Sequence, residues 1–239
     1  MTVRLHITVE GQTEERFVKQ VLAPYFAGHR LWTDARCVLT SKDKRAHIAY
    51  RGGLRRSSAY PTVKKDICAW MKEDTDSRTR FTTMFDLYAL PSDFPGYAAA
   101  ASVRDPYRRI AVLEQALAAD INGELNDRRF IPYLQLHEFE ALILADPQQL
   151  DWEFLEHAEP IQRLVEMVQL AGGNPELIDD GQTTAPSKRI IAEIAEYEGT
   201  KAISGPLVAE KIGMPVLLQR CRHFADWIEG LVVLADENS

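Results

Sequence analysis

Residues 3–13, V-R-L-H-I-T-V-E-G-Q-T, decide the fold. Val3, Leu5, Ile7 and Val9 place apolar, mostly β-branched side chains at alternate positions, the period of a strand. Glu10-Gly11-Gln12-Thr13 makes a turn, and Phe17, Val18, Val21 and Leu22 then recur at helical spacing. A strand, a tight turn and a helix open a βαβ unit, and the same alternation continues along the chain. Residues 36–40 offer a short second strand. Val63, Ile67, Trp70 and Met71 mark a helix, and residues 81–88, F-T-T-M-F-D-L-Y, a strand that the loop Leu90-Pro91-Ser92-Asp93-Phe94-Pro95-Gly96 ends abruptly. Ile110, Leu113, Ala116 and Leu117 mark another helix. Residues 130–136, F-I-P-Y-L-Q-L, read as a further strand, which Pro132 places at a sheet edge.

Strands alternating with helices predict an α/β core over residues 1–146, with a mostly parallel sheet flanked by helices. After Asp146-Pro147 the strand signal fades. Segments 161–171, 187–197, 207–212 and 221–231 carry helical periodicity, punctuated by Pro175, Pro186, Pro206 and Pro215. Residues 147–239 therefore read as a helical C-terminal region packed on the core.

Composition narrows the class. With 239 residues, 46% apolar and 26% charged, the chain can bury a full core, which excludes disorder, collagen-like repeats and a coiled coil. No run approaches the ~18 apolar residues of a membrane span. The first residues lack the basic start and long apolar stretch of a secretory signal. Cys37, Cys68 and Cys221 form no C-x-x-C pair and suit a reducing compartment, so a cytoplasmic location is expected.

The net charge of −7 hides a division, because residues 1–80 hold 16 Lys and Arg against 9 Asp and Glu, while the remainder hold 12 against 26. Between Arg36 and Lys65, the cations Arg36, Lys42, Lys44, Arg45, Arg51, Arg55, Arg56, Lys64 and Lys65 face a single acid, Asp43. Tyr50, Gly52, Gly53 and Tyr60 interleave with these cations. Two readings stand: a solvated loop face, or a surface that tracks a nucleic-acid backbone, with Arg51, Arg55 and Arg56 as its centre.

In a parallel α/β sheet, ligand-handling side chains gather beyond the carboxyl ends of the strands. Glu10, Asp86, Glu138 and Glu140 all lie at such ends. Each alone suits a structural role, but carboxylates sharing one cleft repel one another unless a cation sits among them, and all-oxygen ligation favours Mg²⁺ or Mn²⁺. Glu14 and Glu15 suit the first turn of a helix, whose dipole favours acids, and read as structural. On a helix Glu138 and Glu140 would point roughly 200° apart, so one of them, Glu138 by preference, is expected to face the site. Pro186-Ser187-Lys188-Arg189 opens a helix with Ser187 as expected N-cap. Its free N–H groups, with Lys188 and Arg189, suit an anion, and Lys201 is a weaker candidate of the same kind. Cys221 and His223 lack the further ligands of a structural zinc site, so Cys221, Phe224 and Trp227 read as core and His137 as a hydrogen-bonded structural residue.

Four segments in this order, E-G-Q-T-E after the first strand, M-F-D-L-Y-A-L-P-S-D-F-P-G, H-E-F-E-A-L and T-A-P-S-K-R-I, followed by C-R-H-F-A-D-W-I, resemble the DUF4276 family of Toprim-like proteins across nearly the whole chain. The resemblance implies a Toprim-like (Rossmann-like) sheet and Mg²⁺- or Mn²⁺-dependent phosphoryl transfer in nucleic acid, DNA or RNA. Glu10 matches the glutamate that Toprim domains carry after the first strand, and Asp86 the first residue of their D-x-D pair. The second aspartate is replaced by Tyr88, which leaves Asp93, Glu138 or Glu140 to complete a metal site. The expected activity is a nuclease with Glu10, Asp86, Glu138 and Lys188 as catalytic residues; the alternative is a non-catalytic binding subunit. The resemblance to OLD-type nucleases further implies a separately encoded ATPase partner, since this chain has no P-loop, and a setting in phage defence.

Overall fold

The computed structural model describes residues 2–43, 48–52, 60–178 and 184–237; for 40–43, 48–51, 236 and 237 it describes the backbone alone. Its strands are β1 (Val3–Val9), β2 (Leu31–Cys37), β3 (Leu39–Asp43), β4 (Ile48–Arg51), β5 (Arg80–Asp86), β6 (Phe130–Ile131) and β7 (Leu134–Gln135). One sheet runs in the order β2-β1-β5-β6 with β7 also paired to β5, and every pairing in it is parallel. A separate antiparallel hairpin joins β3 to β4. Helix α1 (Gln12–Phe17) runs through a π-helical turn (Val18–Leu22) into α2 (Ala23–Gly28). Then follow α3 (Tyr60–Glu73), α4 (Tyr97–Ala100), α5 (Pro106–Leu125), α6 (Glu140–Ile143), α7 (Ala158–Leu170), α8 (Pro186–Glu193), α9 (Tyr197–Ile212), α10 (Met214–Arg220) and α11 (Arg222–Glu237).

The chain is thus an α/β protein with a parallel sheet between helices, and the period of two in β1 explains how both faces are filled. Val3, Leu5, Ile7 and Val9 share one core with Phe17 of α1 and with Leu164, Ile190, Val208, Leu217 and Phe224 of the C-terminal helices. On the other face His6 packs against the rings of Trp70 and Phe81, at 4.6 and 5.1 Å between centroids. There Val63 and Ile67 of α3 and Ile110, Leu113 and Leu117 of α5 form a second core with Phe81 and Phe85 of β5. Among the described residues no helix is long and apolar enough to cross a membrane.

Two strands differ from the sequence expectation. The second strand is residues 31–37, and the expected 36–40 straddles its end and the start of β3. It lies at the sheet edge with Trp32 68% exposed, so the apolar alternation that marks a buried strand is missing. Residues 130–136 form two short strands around Pro132-Tyr133, because Pro132 has no N–H for the ladder. Thr83 fills the gap: its hydroxyl donates to the Tyr133 carbonyl at 2.9 Å and accepts the Tyr133 N–H at 3.0 Å. The Tyr133 ring in turn stacks on Trp227 at 4.1 Å and on His223 at 5.2 Å, which ties α11 to the sheet.

Candidate active site

Parallel pairing aligns the carboxyl ends of β1, β5 and β7. Val9 pairs with Met84, and Asp86 with Gln135, so the residues that follow emerge at one level. The Glu10 N–H donates to the Met84 carbonyl at 3.1 Å, and the Asp86 N–H donates to Glu10 Oε2 at 3.1 Å. Glu10 and Asp86, expected together, are together.

Asp86 Oδ1 is buried and has no hydrogen-bond partner among the described residues. Burial, and then the charges of Glu10, Glu14, Glu140 and Glu138, hold the Asp86 carboxyl well above the ordinary carboxylate range. Five carboxylates therefore feel one another at this edge. Glu14 is pushed up to about 7 by burial and by Glu10, against the pull of Lys201. Glu140 is likewise pushed up to about 7, by burial and by Glu138, with Lys201 again opposing. The Tyr197 hydroxyl donates to Glu140 Oε1 at 3.3 Å.

Local structure explains how each acid arrives. Gly11 is the N-cap of α1, and Glu14 reaches back to accept its N–H at 2.8 Å, which turns the carboxylate inward toward Glu10. This acid, read from the sequence as a helix-dipole residue, belongs to the cluster as well; its spacing of four from Glu10 in E-G-Q-T-E is the signal that marks it. Beyond β7 the backbone turns at His137, whose φ is 62°, so Glu138 precedes α6 and is not on it. The expectation that helical geometry would separate Glu138 from Glu140 is corrected on this ground: both are 3% exposed and both act on Asp86. Glu138 Oε1 accepts the Ser187 N–H at 2.5 Å.

That bond also revises the helix α8 expectation. Ala185, not Ser187, is the N-cap, with Pro186 in the first turn, and the N–H of Ser187 already serves Glu138. Arg189 donates through Nε to the Thr184 carbonyl at 2.7 Å and approaches Met167 Sδ at 3.4 Å, so it braces its own loop. Lys188 is exposed. Asp93 is not part of the cluster: Phe94 packs on Tyr60 at 5.4 Å, which draws the Asp93 turn toward α3, where its charge acts on the Tyr60 hydroxyl.

Of the basic stretch, Arg55 and Arg56 lie outside the described residues, and Arg51 is described in β4 by its backbone alone. Arg36 is engaged in the fold, donating to the Asp66 carbonyl at 2.7 Å and lying 4.0 Å over the Trp70 ring. Lys64 pairs with Asp120 at 3.0 Å and Glu124 at 3.5 Å. The end of the hairpin reaches the backbone of Glu10: Gly52 has φ 91°, and a Cβ there would lie 3.3 Å from the Glu10 carbonyl oxygen.

His137 is structural, its Nε2 2.8 Å from the Glu176 carbonyl that accepts from it. Cys221 is buried in the core and His223 is bound to Glu114 at 3.0 Å. Among the described residues no three His, Cys, Asp or Glu side chains stand close enough to ligate one ion as they are placed. The expected convergence on a single ion is thus not preformed there.

Fold and site together define an α/β protein with a cluster of buried carboxylates at the carboxyl edge of a parallel sheet. The family model described as a domain of unknown function, DUF4276, matches residues 9–232, and the chain belongs to that family. No curated protein and no solved structure matches it.

Proposed function

We propose that this protein is a Toprim-like, Mg²⁺- or Mn²⁺-dependent nuclease that hydrolyses phosphodiester bonds. The observation that carries the reading is the buried Oδ1 of Asp86, unpartnered among the described residues and set amid four further carboxylates. Such a concentration of like charge is costly unless the acids take up protons or a cation. The donors fit the ion: all are oxygens, and hard divalent cations prefer oxygen. Glu10, Asp86 and Glu138 would hold it, with Glu140 and Glu14 beside them. When bound, the ion supplies positive charge and Lewis acidity toward the phosphodiester. The chain's own residues do the rest. The Asp86 N–H and the Ser187 N–H fix the carboxylates of Glu10 and Glu138, Lys201 offsets part of the negative charge, and Lys188, which is exposed, would meet a phosphate.

A second reading has one observation in its favour. Tyr88, at the position of the second Toprim aspartate, lines a pocket beside α4 and α5 and supplies no carboxylate. That favours a non-catalytic binding subunit that works with an ATPase. The deciding experiment incubates supercoiled plasmid and RNA with the protein and Mn²⁺, with EDTA, and with Asp86→Ala, alone and with a candidate ATPase. Cleavage that EDTA and the substitution both abolish supports the nuclease. Intact substrate in every arm supports the binding subunit.

A further inference from the structure

The turn that ends β5 opens, one residue after Asp86, into a pocket of about 230 Å³ lined by Leu87, Tyr88, Leu90, Tyr97, Arg109 and Leu113. Its walls are made by a close approach that the sequence enforces. Gly96 has φ 76°, and a Cβ there would lie 2.8 Å from Ala116 Cβ and 3.3 Å from the Val112 carbonyl oxygen. Only glycine lets α4 lie this close to α5, and it is this approach that brings Tyr97 of α4 and Arg109 of α5 to one pocket. Phe94, buried, anchors the turn below, and the Tyr97 N–H donates to its carbonyl at 3.0 Å. Tyr88 is fixed from the acid side, its N–H donating to the His137 carbonyl at 2.9 Å one residue before Glu138.

We infer that this pocket receives one unpaired nucleobase of a single-stranded stretch next to the bond held at the acids, with Tyr97 and Tyr88 as ring faces and Arg109 toward the flanking phosphate. The inference rests on the nuclease reading and adds the substrate form. Three features select a base. The pocket falls short of the roughly 300–1,000 Å³ of sites for drug-sized ligands, so it suits a single planar group. Its lining pairs apolar floor residues with two phenol rings, and every base has a face that stacks on an aromatic ring. Its charged group is a guanidinium, and exposed Arg104 and Arg108 continue the positive rim along the start of α5. Tyr97 is 42% exposed, so its ring is open to a ligand from solvent.

A duplex cannot offer a base to such a pocket without unstacking it, so single strands are preferred over duplexes of the same length. Binding of fluorescein-labelled single-stranded and duplex oligonucleotides, measured by anisotropy in EDTA, tests this without any demand on catalysis. Tyr97→Ala is expected to weaken single-strand binding about fivefold to a hundredfold and to leave duplex binding unchanged, whereas Tyr97→Phe retains the wild-type affinity because the ring remains. Arg109→Gln is expected to lower the salt slope for single strands by about 0.7. Thermal melting that matches wild type certifies the fold of each variant. Unchanged single-strand affinity in Tyr97→Ala overturns the subsite. A nucleoside monophosphate that binds as tightly as the oligonucleotide overturns the strand assignment. Because the readout is metal-free, a protein that fails to cleave but shows these shifts keeps the subsite and loses only the nuclease reading. A cleaving protein without them loses only the subsite.

Discussion

The N–H of Asp86 donates to a carboxylate oxygen of Glu10 at 3.1 Å, so the last residue of β5 holds the acid that follows β1, while its own Oδ1 is buried with no partner among the described residues. Strand ends that pair side by side in a parallel sheet carry their carboxylates to one place. The resulting repulsion is the physical content of the site, and it yields the first prediction. Asp86→Asn keeps the N–H to Glu10 and removes a carboxyl that burial and neighbouring acids make costly to ionise, so in EDTA at about pH 8 it is expected to stabilise the fold by about 1 kcal/mol, some 2–4 °C for a chain of this size. Mn²⁺ should raise the melting temperature of the wild type and leave that of the variant unmoved. A variant that melts lower than wild type in EDTA would show that Asp86 is an ordinary structural carboxylate.

Glu14 and Glu140 make stability depend on pH. Burial and neighbouring acids raise each carboxyl to about 7 from the ordinary 4.5, so the folded state holds protons that the unfolded chain has released. Their contribution is complete below about 4.5 and is lost as pH rises through about 7. Melting followed from about pH 5 to about pH 8 in EDTA should therefore fall, and the double variant Glu14→Gln, Glu140→Gln should flatten that fall. A divalent cation competes with the protons, so Mn²⁺ should stabilise more at about pH 8 than at about pH 5.5. Equal stabilisation at both pH values would contradict the shared site.

A distant carboxylate is predicted to matter only for folding. Glu176 is fully buried, and its oxygens accept the N–H groups of His223 and Phe224 at 3.0 and 3.1 Å and the Tyr107 hydroxyl at 3.0 Å. It caps α11 from across the structure. Glu176→Ala strands those donors and is expected to cost about 2–4 kcal/mol in urea unfolding, with no change in Mn²⁺ affinity where the protein remains folded. A loss below about 0.5 kcal/mol would mean that water replaces the cap.

Much of this architecture is legible in the sequence. The alternation in β1, the helical spacing of α3, α5 and α7, and the convergence of Glu10 with Asp86 follow from local period and from the geometry of parallel sheets. What escapes a sequence reading has long-range causes. The Glu176 cap links residues 47 and 48 positions apart, and no local pattern announces it. Glu138 and Glu140 join the site together because a left-handed His137 delays the helix, a backbone choice that is uncommon outside glycine and that no sequence period announces. Arg36 and Lys64 look like free cations in a basic run, yet Trp70, Asp66 and Asp120, brought near by the fold, engage them.

The hairpin of β3 and β4 carries the last prediction, on substrate binding. Gly52 follows β4 against the Glu10 carbonyl, and its N–H donates to the Val38 carbonyl at 2.8 Å, so the backbone at the end of the hairpin lies beside Glu10. An acidic chain of net charge −7 needs such a local positive surface to approach a polyanion. Arg51→Ala, Arg55→Ala and Arg56→Ala combined should weaken binding alike for unrelated sequences and lower the log–log salt slope by about 0.7–0.9 for each phosphate no longer neutralised. Gly52→Ala tests the anchor separately. Its φ of 91° is one that a side chain resists, at a cost of about 1–2 kcal/mol, so cleavage should fall while all the cations remain. If the triple variant binds with unchanged affinity and slope, the basic stretch is a solvated surface, and Lys188 and Arg189 remain the candidates for holding phosphate.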